Sequence, residues 1–83
     1  MHILYFAWLR ERTGKNSEEL TLPANIGTPR ELIAHLRGLG PGYAAAFADE
    51  KLIRCAVDQE FHALDAPFAE AREIAFFPPV TGG

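Results

Sequence analysis

The sequence has 83 residues, close to the lower limit at which one hydrophobic core can hold a domain together, so we expect a single domain over residues 1–83. Hydrophobic residues make up 48% and charged residues 23%, which argues against a disordered or fibrous chain, and the net charge of −3 offers no basic stripe for nucleic acid. The longest apolar run, residues 3–9, is too short to cross a bilayer and lacks the features of a signal peptide. We therefore expect a cytoplasmic protein with no membrane or nucleic-acid partner.

The N-terminal third predicts a hairpin. HILYFAWL, residues 2–9, is apolar on both alternating faces, which is typical of a central strand covered on two sides. RERTGKNS, residues 10–17, is polar and contains a glycine, so it is expected to turn the chain. The following EELTLP alternates, with Leu20 and Leu22 on one side, and predicts the second strand.

The next segment carries three signals for the start of a helix. Thr28 is a good capping residue, Pro29 suits the first helical position, and Glu31 completes a capping box with Thr28. Gly38 and Gly40 are expected to end the helix in a left-handed turn. Four apolar residues fall on one face of this helix: Leu32, Ile33, Leu36 and Leu39.

The C-terminal half predicts shorter elements. PGYAAAFA, residues 41–48, suits a short helix with Phe47 packed inward. KLIRCAVD, residues 51–58, predicts a strand followed by a polar turn and a short return. Residues 63–71 read as a surface connection, and EIAFFP, residues 73–78, is again apolar on both faces and predicts a last central strand.

The order of these elements favours one architecture. The first and last strands both need burial on two faces, and a parallel pairing of the two in the middle of a small mixed sheet meets that need. With one main helix packed across the sheet, this is the α+β arrangement called the β-grasp, or ubiquitin-like, fold.

FFPPVTGG, residues 76–83, predicts an extended tail. Pro78 and Pro79 have no backbone N–H, so the sheet ladder should end near Phe77 and the chain should leave the sheet straight. Residues 78–83 can then reach at most about 20 Å, enough to enter a cleft in another protein. The residues expected to line a partner's tunnel are Pro78, Pro79, Val80, Thr81 and Gly82.

Gly83 carries the chemistry that this tail can offer. No side chain after Ile74 is charged, so the carboxylate of Gly83 is the only ionised group on the tail. A carboxylate is a poor electrophile until it is activated, and adenylation would convert it to a mixed anhydride that sulfur or nitrogen nucleophiles can attack. The tail therefore suits a carried acyl group.

The sequence resembles the small subunits of molybdopterin synthase, a family of ubiquitin-like β-grasp sulfur carriers. The resemblance rests on YFAWLRERTG, TPRELIAHL, KLIRCAVDQE and above all EIAFFPPVTGG. Two positions depart from the family's pattern: residues 70–74 lack the glycine of the turn before the last strand, and Asp58 stands where Asn is common, a turn residue of similar shape.

The resemblance implies a function for the tail. An E1-like adenylating enzyme would adenylate Gly83, a sulfur donor protein would supply sulfur, and the resulting thiocarboxylate would enter the large subunit of the synthase. There it would donate sulfur to cyclic pyranopterin monophosphate, forming the dithiolene of molybdopterin. ATP and Mg would be used by the activating partner, no cofactor would be bound by this chain, and two small and two large subunits would form a heterotetramer.

Other residues with chemical potential have simpler explanations. Phe6, Phe76 and Phe77 are candidates for partner contact, although aromatics in such strands are more often interior. Cys55 alternates with apolar neighbours and is expected to be a buried small hydrophobe and not a nucleophile. The three histidines lie on separate elements without ligand spacing, so we expect no metal site.

Three other functions stay open at this point. The Gly83 carboxylate could be joined to lysine amines, as in a ubiquitin-like protein modifier. The chain could instead carry sulfur for thiamin synthesis or tRNA thiolation. A plain interaction domain with an incidental tail is the remaining reading, and it predicts that deleting the last two glycines has no effect.

Overall fold

The computed structural model describes residues 1–79. These residues form five strands, three short helices and one 3-10 turn. In chain order they are β1 (His2–Tyr5), α1 (Trp8–Thr13), β2 (Ser17–Glu19), α2 (Pro29–Arg37), α3 (Pro41–Ala46), the 3-10 turn (Glu50–Leu52), β3 (Arg54–Val57), β4 (Glu60–His62) and β5 (Glu73–Phe77).

The strands form one mixed sheet in the order β2-β1-β5-β3-β4. β1 and β5 pair in parallel at its centre, with Ile3 opposite Ile74, and all other pairs are antiparallel. Both central strands are thus hydrogen-bonded along both edges, which agrees with their predicted central, parallel pairing. The expected burial is complete on one face only, since Leu4 and Phe77 on the face opposite α2 are partly buried. The predicted α+β β-grasp fold is confirmed.

The core lies between one face of the sheet and α2. The Thr28 hydroxyl accepts from the Glu31 N–H at 3.2 Å, and the Glu31 carboxylate accepts from the Thr28 N–H at 3.0 Å, so the predicted capping box is present. Three helix residues are fully buried against the sheet, namely Leu32, Ile33 and Leu36. Phe47, just after α3, is also fully buried, as predicted.

The prediction of a strand over residues 2–9 is wrong in its second half. β1 ends at Tyr5, and Ala7 has φ 54° and ψ −133°, a backbone conformation unusual for a residue with a Cβ. The chain turns there into α1, which buries Leu9 and ends at Gly14 in the left-handed region with φ 77°. The first half of the segment expected to be a polar turn, residues 10–13, is therefore helix.

The second strand and the end of α2 also differ from expectation. β2 covers Ser17–Glu19, and Leu20 and Leu22 follow it as partly buried residues packed against the core. Gly38 has φ −83°, a right-handed value, so the helix does not end in a left-handed turn, and Leu39 is 45% exposed instead of lying on the apolar face.

The C-terminal half agrees better with the sequence. Cys55 and Val57 point into the core from β3, and residues 58 and 59, both with positive φ, turn the chain into β4. Phe68, in the predicted surface connection, is only 7% exposed and packs into the core. Across residues 1–79, the helices are all too short or too polar to span a membrane.

Candidate functional site

The sheet face opposite α2 carries a row of apolar side chains. Because residues alternate along each strand, the positions between the core residues Ile3, Tyr5, Ile74 and Phe76 point away from the helix. We call the apolar members of this set the apolar outer face. They are Leu4, Phe6, Ala56, Phe61, Ala75 and Phe77.

Two phenylalanines dominate the exposed part of this face. Phe61 is 84% exposed and Phe6 is 47% exposed. The Phe61 and Phe77 rings contact edge to face, with centroids 5.9 Å apart, and they line a groove of about 410 Å³ together with Arg54 and His62. Grouped apolar side chains of this size on a small domain are typical of a surface that another protein covers.

The backbone at Phe6 and at the residue after it fixes the position of Phe6. Its N–H donates to the carbonyl of Phe76 at 3.1 Å, which extends the β1–β5 pairing by one residue. The unusual conformation of Ala7 then turns the chain away immediately after Phe6. The ring is thus left on the outer face, level with Phe77 at the end of β5.

The three aromatic residues proposed for partner contact fall in different environments. Phe6 and the half-buried Phe77 lie on the outer face, where a partner could reach them. Phe76 is fully buried, and its ring packs edge to face on Phe47 with centroids 5.2 Å apart. Phe76 is therefore a core residue, and the proposal that it contacts a partner is wrong for its side chain.

The base of the tail is anchored at the centre of the sheet. β5 pairs with β1 on one side and with β3 on the other, so Phe77, its last residue, has a fixed position. Pro78 and Pro79 follow, half-buried and outside the ladder, as their missing N–H groups require. The remaining predicted tail residues lie outside the described part of the chain: Val80, Thr81, Gly82 and Gly83.

The outer face is charged differently at its two ends. Arg54 pairs with Phe77 at the end where the tail begins, and it is exposed. At the other end His2 lies between Glu19 and Glu73, and its Nδ1 is 3.0 Å from a Glu19 carboxylate oxygen. Carboxylates are thus grouped away from the tail and a guanidinium lies beside it.

Sequence reasoning missed Phe61 and Arg54 as parts of this surface. Phe61 lies between Glu60 and His62 on a short edge strand, a pattern that usually predicts an apolar residue facing the core. The local sequence therefore gave no signal for the exposed position of Phe61. Arg54 has no local signal, because its position next to the tail depends on the pairing of β3 with β5.

The thiol of Cys55 is not poised for chemistry. Its side chain is buried, Sγ donates to the carbonyl of His62 at 3.2 Å, and burial raises the pKa of the thiol to about 11. This confirms the prediction of a small buried hydrophobe. Within residues 1–79 no three His, Cys, Asp or Glu side chains come together as a metal site.

A polar cluster lies on the helix-covered side of the sheet, where β2 meets α3. The hydroxyls of Tyr5 and Tyr43 donate to one carboxylate oxygen of Glu18 at 2.7 and 2.6 Å, and Lys15 Nζ donates to the other at 3.1 Å. Partial burial raises the pKa of Glu18, but the hydrogen bonds from Tyr43, Tyr5 and Lys15 outweigh it and leave that pKa below its usual value. Burial, then the bond to Glu18, raises the pKa of Tyr5.

The turn at Asp58 fastens the start of β5. One carboxylate oxygen of Asp58 accepts from the backbone N–H groups of Arg72 and Glu73, both at 3.0 Å. Asp58 has φ 48°, a left-handed value that Asp and Asn tolerate better than most residues. The structure thus explains why Asp can replace Asn in this turn.

Two curated proteins resemble the chain over nearly its whole length. The molybdopterin synthase sulfur carrier subunit of Escherichia coli is 38% identical over 81 residues, covering 98% of this chain and 96% of that protein. The protein of the same name from Haemophilus influenzae is 35% identical over 83 residues, covering 100% of this chain and 99% of that protein.

Two solved structures share the fold. SAMP1 from Haloferax volcanii matches with a TM-score of 0.73 and 28% identity over 100% of this chain and 98% of that one. A putative molybdopterin converting factor subunit 1 from Pyrococcus furiosus matches with a TM-score of 0.71 and 25% identity over 95% of both chains. Residues 3–83 also match the ThiS family. Given this match and two relatives that are 35% and 38% identical over nearly the whole chain, the chain belongs to the ThiS family.

Proposed function

We propose that this protein is the sulfur carrier subunit of a molybdopterin synthase and that Gly83 carries the sulfur. The observation that carries the proposal is the position of the tail base. β5, bonded on both sides, delivers Pro78 and Pro79 at the edge of the apolar outer face. The family match continues through residue 83, which supports the same role for the residues that follow.

The proposed chemistry has two steps. The carboxylate of Gly83 attacks the α-phosphate of ATP in the activating enzyme, pyrophosphate leaves, and an acyl adenylate forms. A hydrosulfide equivalent from the sulfur donor then attacks the acyl carbon, AMP leaves, and the product is a thiocarboxylate. Mg and ATP are bound by the activating enzyme, while this chain supplies only the acyl group.

The thiocarboxylate is suited to sulfur transfer inside a partner. It is ionised at neutral pH and is a better nucleophile than a carboxylate, and a tunnel in the large subunit would exclude water around it. We propose that Val80, Thr81 and Gly82 occupy this tunnel and that the acceptor is cyclic pyranopterin monophosphate. The catalytic side chains then belong to the large subunit.

The apolar outer face supplies the docking contacts in this proposal. Phe6, Phe61 and Phe77 lie around the tail base, so a partner that covers them also receives the tail. Large aromatic side chains at the centre of an interface commonly account for most of its binding energy. Replacing Phe61 with Ser should weaken binding to the large subunit by at least about tenfold without disturbing the core.

The test is reconstitution with the E1-like adenylating enzyme, ATP, Mg and a sulfur donor, followed by intact mass spectrometry. We expect the mass increase of a single oxygen-to-sulfur exchange, located at Gly83 by fragmentation. A matched variant with one alanine added after Gly83 should show no exchange. If the protein shows no exchange while a curated relative does under the same conditions, the proposal is wrong.

Adding the large subunit and cyclic pyranopterin monophosphate to the same mixtures distinguishes the main alternative. A protein modifier would give isopeptide-linked adducts that survive a denaturing gel and require Gly83. Sulfur transfer to cyclic pyranopterin monophosphate with formation of a dithiolene, and no such adducts, is the outcome that the carrier role predicts.

A further inference from the structure

We propose that Arg54 contributes to binding at the docking face by pairing with a carboxylate of the synthase large subunit. This inference rests on the proposed function and adds the chemistry of the partner surface. It follows from the position of Arg54, from the groups that its guanidinium contacts and from the distribution of charge on the outer face.

Arg54 lies at the base of the tail. It is the first residue of β3, directly opposite Phe77 in the β3–β5 ladder, and its side chain is exposed. It lines the groove of about 410 Å³ together with the rings of Phe61 and Phe77. A protein that covers these rings must also cover the guanidinium.

The guanidinium has hydrogen-bonding capacity left for a partner. Its Nη1 donates to the carbonyls of Lys51 and Ile53 at 3.1 and 3.0 Å, which orients the group. Within residues 1–79 no carboxylate lies within 4.0 Å of Arg54, whereas Arg30 is 2.7 Å from Glu50. The donors on Nε and Nη2 make no hydrogen bond to the described residues.

Covering Arg54 with an apolar surface would be unfavourable. A cation that loses water needs an opposite charge and hydrogen bonds to offset the cost. A carboxylate can accept two parallel bonds from a guanidinium, and this bidentate pairing is stronger and more directional than a pairing with lysine. An aspartate or glutamate on the partner surface is therefore the group that fits this position.

The charges on the rest of the outer face let this pairing orient the partner on the sheet. Glu19 and Glu73 lie at the opposite end of the strands, where Glu19 is already 3.6 Å from the N-terminal amine of Met1 and 3.0 Å from His2 Nδ1. A docking pose rotated by half a turn would place the partner carboxylate at this end, away from the guanidinium of Arg54. The charge pattern thus favours the pose in which the tail enters the partner.

The experiment measures binding of the full-length protein to the purified large subunit by calorimetry. We expect Arg54→Gln to raise Kd by about tenfold, Arg54→Glu to raise it further, and Arg54→Lys to lie between Arg54→Gln and the unmodified protein. Lys51→Gln removes a nearby exposed cation outside the groove and serves as the matched control, with a change below about twofold. Thermal melts show how much stability each variant loses with the Arg54 hydrogen bonds to the carbonyls of Lys51 and Ile53, and the Kd values are compared at a temperature at which all variants are folded.

Salt dependence separates a charge pair from a loss of packing. Binding of the unmodified protein should weaken as salt increases, and Arg54→Gln should show a smaller dependence. Arg54→Glu with a Kd within twofold of the unmodified protein would overturn the inference. That outcome would contradict only the role of Arg54, provided that the unmodified protein binds the large subunit and exchanges sulfur at Gly83. If the unmodified protein does neither, the proposed function itself is wrong.

Discussion

Removing the hydroxyl of Tyr5 tests the polar cluster around Glu18. Tyr5→Phe keeps the buried ring and its edge-to-face contacts with Tyr43 and Phe47, whose centroids lie 6.4 and 6.2 Å away. It removes only the 2.7 Å hydrogen bond to the Glu18 carboxylate. A hydrogen bond to a charged group contributes about 1.5–3 kcal/mol, and we expect a loss of about 2 kcal/mol in the free energy of unfolding at pH 7.

The loss should depend on pH in a defined direction. The raised pKa of Tyr5 means that the neutral hydroxyl stabilises the fold fully below its usual pKa of 10.0 and less as the pH rises above it. The lowered pKa of Glu18 means that its contribution is present above its usual value of 4.5 and is lost as the pH falls through its folded value. The difference between Tyr5→Phe and the unmodified protein should therefore be largest between these limits.

Urea denaturation followed by circular dichroism measures this difference from pH 3 to pH 11. At pH 7 a loss of 2 kcal/mol corresponds to a melting temperature lower by roughly 10 °C for a domain of this size. Tyr43→Phe is the comparison: it removes the 2.6 Å bond to the same carboxylate from a hydroxyl nearer to solvent, so we expect a smaller loss of stability. A difference for Tyr5→Phe below about 0.5 kcal/mol that stays flat across this pH range would refute the reasoning.

Three further predictions concern other contacts. Asp58→Ala should destabilise the fold by about 2 kcal/mol in urea titrations, because the backbone N–H groups of residues 72 and 73 lose their acceptor. Asp58→Asn should cost less than about 1 kcal/mol, and equal losses for the two variants would contradict this account. Gly42→Ala should lower the melting temperature by about 5 °C or more, because its Cβ would lie 2.6 Å from the carbonyl oxygen of Arg12. Cys55 should resist iodoacetamide at pH 8 in the folded protein and react on unfolding, given its burial and its pKa of about 11; rapid labelling of the folded protein would count against it.

The central, parallel pairing of the first and last strands was predictable because a strand that is apolar on both faces is disfavoured at the edge of a sheet. The apolar segments that became β1 and β5 could only pair at the centre, and the capping box fixed the start of α2. α1 was not predictable in the same way, because a six-residue helix with one buried residue, Leu9, has no clear apolar period.

The candidate site, too, was predictable where it depends on local sequence and not where it depends on strand pairing. The tail base follows from local chemistry, since two prolines end a ladder wherever they occur. The outer face depends on partners distant in sequence: Phe61 meets Phe77, and Arg54 meets the tail only through the β3–β5 register. The burial of Phe76 follows from strand alternation once the helix-covered face is known, and the sequence alone left that face open.

The parallel pairing of β1 and β5 also has a consequence for biosynthesis. Ile3 and Ile74 meet across the centre of the sheet, so a ribosome must release nearly all of the chain before the two strands can join. Phe6 and Phe77, contributed by opposite ends of the sequence, come side by side only at that moment. A partner that recognises both rings would therefore bind only folded chains and ignore nascent and unfolded ones.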